Sequence, residues 1–186
     1  MDQEKLRLLL CELGAAIRSK VVSARQGLSA EKLAAVTGDA GGDTIFAIDR
    51  FGEDAILEWF RSRWPTDEPV QIVMEGLESE LCFPEGKSAA ETKWKCIIDP
   101  IDGTRGLMYQ KRSGWILTGI APNLGRDTRI SDIELAVQTE IPLVKQHLSD
   151  TVWAIRGEGA SAERINRISG EITPLILRPS GAETIA

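Results

Sequence analysis

Nitrogen and sulfur ligands are scarce in this chain of 186 residues, which has one histidine, His147, and three cysteines. That scarcity excludes the usual zinc centres, which gather His and Cys in clusters. The thiols, Cys11, Cys82 and Cys96, are odd in number and form no C-x-x-C pair. This suits a reducing compartment in which Cys serves as a small buried hydrophobe. His147 follows Leu-Val-Lys-Gln in a polar stretch and reads as a surface residue. No apolar run approaches the ~18 residues of a membrane span. The opening MDQEKLRLLL carries acids and lacks the small-residue cleavage site of a secretory signal. Basic charge is short as well: 22 Lys and Arg stand against 28 Asp and Glu, a net charge of -6. Nucleic acid, which needs clustered Lys and Arg, is therefore not the expected partner. Together these absences lead to the expectation of a cytoplasmic protein with neither a membrane nor a nucleic acid as partner.

What is present is an ordinary globular balance, 42% hydrophobic and 27% charged, able to build a core in one domain or two small ones. Any catalytic metal must be held by oxygen, which points to Mg²⁺, Mn²⁺ or Ca²⁺. Leu6, Leu9, Leu10, Leu13 and Ile17 recur at helical spacing and predict an amphipathic helix from residue 2 to about 25. A short second helix is expected from Leu28 to Lys32, with Ser29 as N-cap. Residues 37–44 read as a glycine-rich loop, and 45–48 as a short strand leading to Asp49. A strong helical pattern over 50–64 ends at Pro65. Strands are predicted at 70–75, ending in Glu75, and at 94–98, ending at Asp99, with a polar loop between them. Further strands are predicted within 114–123, 133–141, 151–160 and 172–179. Helices first and a strand meander later describe an α+β layer structure rather than a regular βαβ winding.

The sequence CIIDPIDGTRG, residues 96–106, drives an apolar strand into two aspartates and then turns on a glycine. Asp49, Glu75 and Asp99 stand at predicted strand or loop exits, and Asp102 makes a fourth carboxylate. Pro100 fixes one φ between Asp99 and Asp102. Two like charges held close call for a cation between them, and Mg²⁺ fits. The Ile101 carbonyl would point inward and add a neutral ligand. Gly103 permits a tight turn, and a short helix is expected from Arg105. The N–H groups of Gly103 and Thr104 would then cradle an anion. The Thr104 hydroxyl, set against Asp49, could relay a proton from a metal-activated water. Two oxygen-held ions beside an anion site make phosphate-ester hydrolysis the natural reaction. Each residue also has a plainer role: D-x-x-D-G occurs in ordinary turns, Asp49 could cap the following helix, and Glu75 could be an exposed strand end.

WKCIIDPIDGTRG resembles the DP(I/L)DG(T/S) signature of the inositol monophosphatase family, in the superfamily with fructose-1,6-bisphosphatase. Other segments agree in order. GGDTIFAIDRFGEDAI resembles the family segment with an Asp followed four residues later by Glu, here Asp49 and Glu53. IVMEG resembles the strand ending in a metal glutamate, here Glu75. WAIRGEGASAERI resembles the family's hairpin with a G-x-G-A turn. The resemblance implies the layered helix/antiparallel-sheet half of the inositol monophosphatase-like fold. It also implies Mg²⁺-dependent, Li⁺-sensitive hydrolysis of a small phosphomonoester, an inositol or sugar phosphate. Glu75, Asp99 and the Ile101 carbonyl would hold the first metal, and Asp102 would share the second with Asp99 bridging. Gly103 and Thr104 would cradle the phosphate, and Thr104 with Asp49 would activate the water. Three features depart from the family pattern. Gly76 replaces a second glutamate, Arg105-Gly106-Leu107 replaces Thr-Asn-Phe, and no Trp-Asp-x-Ala type motif occurs. The expectation is one N-terminal metal- and phosphate-binding domain over 1–186, without the family's C-terminal α/β domain. The partner would be a small phosphorylated metabolite, and a homodimer would cover a sheet edge and apolar face left open. The alternative is a non-catalytic relative that binds phosphorylated ligands or acts as an assembly subunit. A third reading makes 96–106 an exposed loop in an unrelated α+β protein.

Overall fold

Leucines at helical spacing wind the chain into α1 (Gln3–Gly27), whose Leu6, Leu10, Leu13, Ile17 and Val21 are fully buried. Burial of such a side chain contributes about 1.5–3 kcal/mol. The computed structural model describes residues 1–27, 35–40, 43–74, 81–178 and 180–184, and for 36–40 and 43–45 the backbone alone. The helix expected from Leu28 lies outside these residues. After α1 come β1 (Val36–Ala40), β2 (Asp43–Phe46) and α2 (Ala47–Arg63). Next are β3 (Val70–Met74), β4 (Leu81–Phe83), β5 (Trp94–Asp102) and the short α3 (Thr104–Met108). The chain continues through β6 (Gly114–Pro122), β7 (Leu135–Ile141), β8 (Leu148–Ile155), β9 (Gly159–Asn166) and β10 (Ile172–Pro174).

β3 to β10 form one sheet in the order β10-β9-β8-β7-β6-β5-β3-β4. All neighbours run antiparallel except β3 and β5, which are parallel. This is the expected α+β layer structure. α1 and α2 pack on each other and on one face of the sheet, α1 against β7 and α2 against β5. The core lies between these layers, where Ile56 and Phe60 of α2 join Cys96, Ile98, Ile116, Ile120, Leu135 and Val137. Phe60 stacks on Phe83 with ring centroids 5.4 Å apart, and Trp59 and Trp64 complete the cluster. On the other face Val73 and Ile97 are 42% and 44% exposed.

One glycine and two arginines fix α1 on the sheet. A methyl group at Gly14 would stand 2.2 Å from Thr139 Oγ1, so only glycine lets α1 approach β7. Arg18 and Arg25, both buried, donate to Ser149 Oγ and to the Pro142 carbonyl at 2.9 Å each.

Three sequence expectations are corrected. The described residues of the loop expected over 37–44 are strands: β1 and β2 form an antiparallel ribbon in which Ala40 pairs with Asp43. The predicted strand at 45–48 ends at Phe46, and Ala47 and Ile48 open α2. The physical reason is the Asp49 carboxylate, which accepts the Phe46 N–H at 2.8 Å and so begins the helix three residues early. The polar segment after Glu75 contains β4, which pairs with β3. The hairpin anticipated by resemblance at 153–165 is present as β8 and β9.

Candidate active site

β5 is a regular strand for half its length and an irregular one for the rest. Trp94 to Ile98 pair step for step with β3 on one side and β6 on the other. Beyond them Asp99 opposes Leu117 while Asp102 opposes Trp115. Three steps on β5 face two on β6, so one residue is extra and the strand bulges. Pro100 and Ile101 are buried at the bulge, Asp99 is half-buried, and Asp102 is exposed. The Ile101 N–H donates to Asp99 Oδ1 at 3.1 Å, the local bond of an Asx turn. Gly103 follows with φ +84 as the N-cap of α3, a left-handed conformation that favours glycine.

The hydroxyl of Thr104, first residue of α3, ties two parts of the chain together. It lies 3.0 Å from Asp49 Oδ1 and 2.8 Å from the Ile101 carbonyl oxygen. It has one proton and two acceptors, so carboxylate and carbonyl compete for it. Asp49 sits in the first turn of α2, not at a strand exit as expected, and its other oxygen caps Phe46. Burial pushes the Asp49 carboxyl pKa up, against the opposing pull of the Phe46 amide, the Thr104 hydroxyl and Arg50. Glu53, one turn further on, is engaged with Arg50 at 3.0 Å.

The docking of α2 onto the bulge depends on a residue that sequence reasoning passed over. A methyl group at Gly52 would sit 3.0 Å from Pro100 Cβ. The absent side chain therefore lets the first turn of α2 approach the bulge, which brings Asp49 to Thr104. A glycine inside a helical pattern is the available signal, since it costs about 1 kcal/mol unless close approach requires it.

Of the expected metal ligands, Asp99, Ile101 and Asp102 share the bulge, while Glu75 lies outside the described residues. Met74, the last residue of β3, pairs with Ile98, so that end of β3 lies beside the start of the bulge. Among the described residues no three of His, Cys, Asp and Glu come together as a metal-holding group. The donors at the bulge are oxygens, the kind Mg²⁺ takes. His147 is exposed, as expected of a surface residue. No helix of the described residues is long and apolar enough to cross a membrane.

A fructose-1,6-bisphosphatase of Leishmania major in holo form superposes with a TM-score of 0.66 over 91% of this chain, at 16% identity. This is the fructose-1,6-bisphosphatase fold. A Toxoplasma gondii protein assigned as a sedoheptulose-1,7-bisphosphatase shares it, with a TM-score of 0.63 over 94% of the chain and 15% identity. So does the extragenic suppressor protein suhB of Bartonella henselae, with a TM-score of 0.60 over 84% and 17% identity. This chain covers 52%, 55% and 51% of those three, about half the length of the bisphosphatase-fold structures it matches. No family model matches the chain, and no curated protein sequence does. The fold implied by the D-P-I-D-G-T resemblance is thus the fold observed.

Proposed function

We propose that this chain supplies the metal- and phosphate-binding part of a Mg²⁺-dependent phosphoric monoester hydrolase acting on a small inositol or sugar phosphate. The observation that carries the reading is the Thr104 hydroxyl, held between Asp49 and the Ile101 carbonyl on a bisphosphatase fold. The backbone N–H groups of Gly103 and Thr104 bind the substrate phosphate at the turn, and Asp102 binds the substrate by accepting from a hydroxyl group beside it. Asp99, Asp102, the Ile101 carbonyl and Glu75 would hold Mg²⁺, which when bound supplies Lewis-acid polarisation and acidifies water. The register of Met74 with Ile98 supports Glu75 in that set. The attacking water gives its proton to Thr104 Oγ as the threonine proton passes to Asp49. Burial favours the protonated form of Asp49 and so improves it as the acceptor. The protein works on such metabolites in the cytoplasm.

Phosphate release from inositol monophosphates and fructose 1,6-bisphosphate, with and without Mg²⁺, tests the reading. We expect Mg²⁺-dependent release that falls about a hundredfold or more in Asp99→Asn, as loss of a metal ligand requires. Release that is indifferent to Mg²⁺ and to this substitution would sink it. Phosphate binding without release would favour a non-catalytic relative that holds phosphorylated ligands.

A further inference from the structure

We propose that Arg112 is a substrate-binding residue: its guanidinium receives the phosphate of the substrate at the Gly103–Gly106 turn. This inference rests on the phosphomonoester reading above and adds to it a specific cation.

The first observation is one of charge. Between Gly103 and Arg126 the chain has Arg105, Lys111, Arg112 and Arg126 and no acidic residue, although the whole carries a net charge of -6. Positive charge is therefore concentrated directly after the two aspartates of the bulge.

The second observation is one of fit. A Cβ on Gly103 would stand 3.4 Å from Arg112 Nη2 and 3.7 Å from its Cζ. A Cβ on Gly106 would stand 2.7 Å from Arg112 Cγ and 2.8 Å from its Nε. The two glycines thus form a slot along which the arginine side chain lies. Gly106 is inside α3 and has no positive φ, so its backbone does not require glycine; a side chain there would instead displace the arginine.

The third observation is that the segment carrying Arg112 is held on both sides. The N–H groups of Lys111 and Arg112 turn back to the Gly106 carbonyl at 2.9 and 3.4 Å. Gln110, at φ 54, accepts the Val144 N–H through Oε1 at 2.9 Å. Ser113 Oγ donates to Glu140 Oε1 at 2.5 Å. Lys111 lies over the Tyr109 ring, 5.8 Å from its centroid.

Arg112 nevertheless has no ion pair or hydrogen bond through its guanidinium among the described residues, in contrast to Arg7, Arg50, Arg61 and Arg164. A guanidinium that lies along a glycine slot, exposed and without an anion of its own, is open to one from outside. Its planar fork matches phosphate oxygens two at a time.

Calorimetric titration of the whole chain with inorganic phosphate, in the presence of Mg²⁺, tests this directly. We expect binding to weaken about ten- to hundredfold in Arg112→Met, as loss of a charge-assisted bond predicts. Arg112→Lys should fall in between, keeping the charge but losing the fork. Gly106→Ala keeps the arginine but fills its slot, and should weaken binding about tenfold or more. Arg126→Met removes a like charge at the opposite end of β6 and should bind as the wild type does. Circular dichroism confirms that each variant is folded. Wild-type affinity in Arg112→Met or in Gly106→Ala overturns the proposal, as does a parent chain that binds no phosphate. Hydrolysis separates the two readings. The expected binding pattern without turnover supports Arg112 and sinks the hydrolase, whereas turnover with wild-type binding in both variants does the reverse.

Discussion

The two halves of β5 belong to one strand and do opposite things. Trp94 to Ile98 pair on both sides without interruption, and Cys96 and Ile98 are buried in the core. Asp99 to Asp102 lose the register, and their polar groups turn to the Asx bond and to Thr104. The first half is specified by burial, which any apolar side chain of suitable size would serve. The second is specified by direction: a bulge re-aims side chains, and Pro100, seated against Gly52, holds the re-aimed ones in place. Rigid pairing on one side of Ile98 is what allows irregularity on the other.

If this division is right, substitutions in the two halves will separate activity from stability. The largest effect is expected at Thr104→Val, which keeps the shape of the side chain and removes the hydroxyl between Asp49 and Ile101. Phosphate release should fall about 10²- to 10⁴-fold, the usual contribution of a proton-transferring group. Stability should change by only about 1 kcal/mol. Single-turnover kinetics beside urea unfolding measure both, and a variant that loses stability alone would erase the distinction. Ile98→Ala should show the inverse, with about 2–5 kcal/mol of unfolding free energy lost through the cavity. Activity at temperatures well below its lowered midpoint should be close to that of the parent.

Gly52→Ala tests the joint between the halves. The added methyl meets Pro100 Cβ at 3.0 Å. Overpacking of this kind costs about 1–3 kcal/mol, against a helix-propensity gain of about 1 kcal/mol. The net fall in melting temperature is therefore small, while activity drops because Asp49 is displaced from Thr104. Activity equal to the parent's would show that the approach of α2 to the bulge does not set the site.

The smallest effect lies at Cys96, where burial pushes the thiol pKa up to about 12. The native thiol should not react with disulfide reagents between pH 7 and 9, and should react once urea unfolds the chain. Between the ordinary thiol pKa and about 12 the folded state holds a proton that the unfolded state has released. Stability due to this group is thus complete at neutral pH and lost as pH rises through that window. Comparing melting curves of the parent and Cys96→Ala from pH 8 to 11 isolates the effect from other titrations.

The fold was legible where hydrophobic pattern and tertiary burial coincide. The leucines of α1, the apolar runs of β3, β5, β6 and β7, and the Pro65 stop after α2 all read directly from spacing. The segment Ile45–Ile48 misled because four apolar residues in a row match a buried strand as well as a helix start. Asp49 decides the matter, through a single hydrogen bond to Phe46. The ribbon of β1 and β2 escaped because glycine and aspartate, depleted in strands, stand where the backbone pairs. At the site, the D-P-I-D-G-T run drew attention to Asp99, Ile101, Asp102, Gly103 and Thr104 at once. Gly52 and Arg112 could not be read in the same way, since their roles exist only through neighbours distant along the chain or across a turn.

The clasp of α1 has a consequence for how the chain is made. Arg18 finds its partner Ser149 at a separation of 131 residues. A ribosome adding about 5–20 residues per second needs roughly 7 to 26 s to cover that span. For most of this interval the buried stripe of α1 lacks β7, the strand it chiefly packs on. This helix emerges well before the strands that seat it, and during synthesis its leucines are open to any chaperone that binds exposed apolar chain.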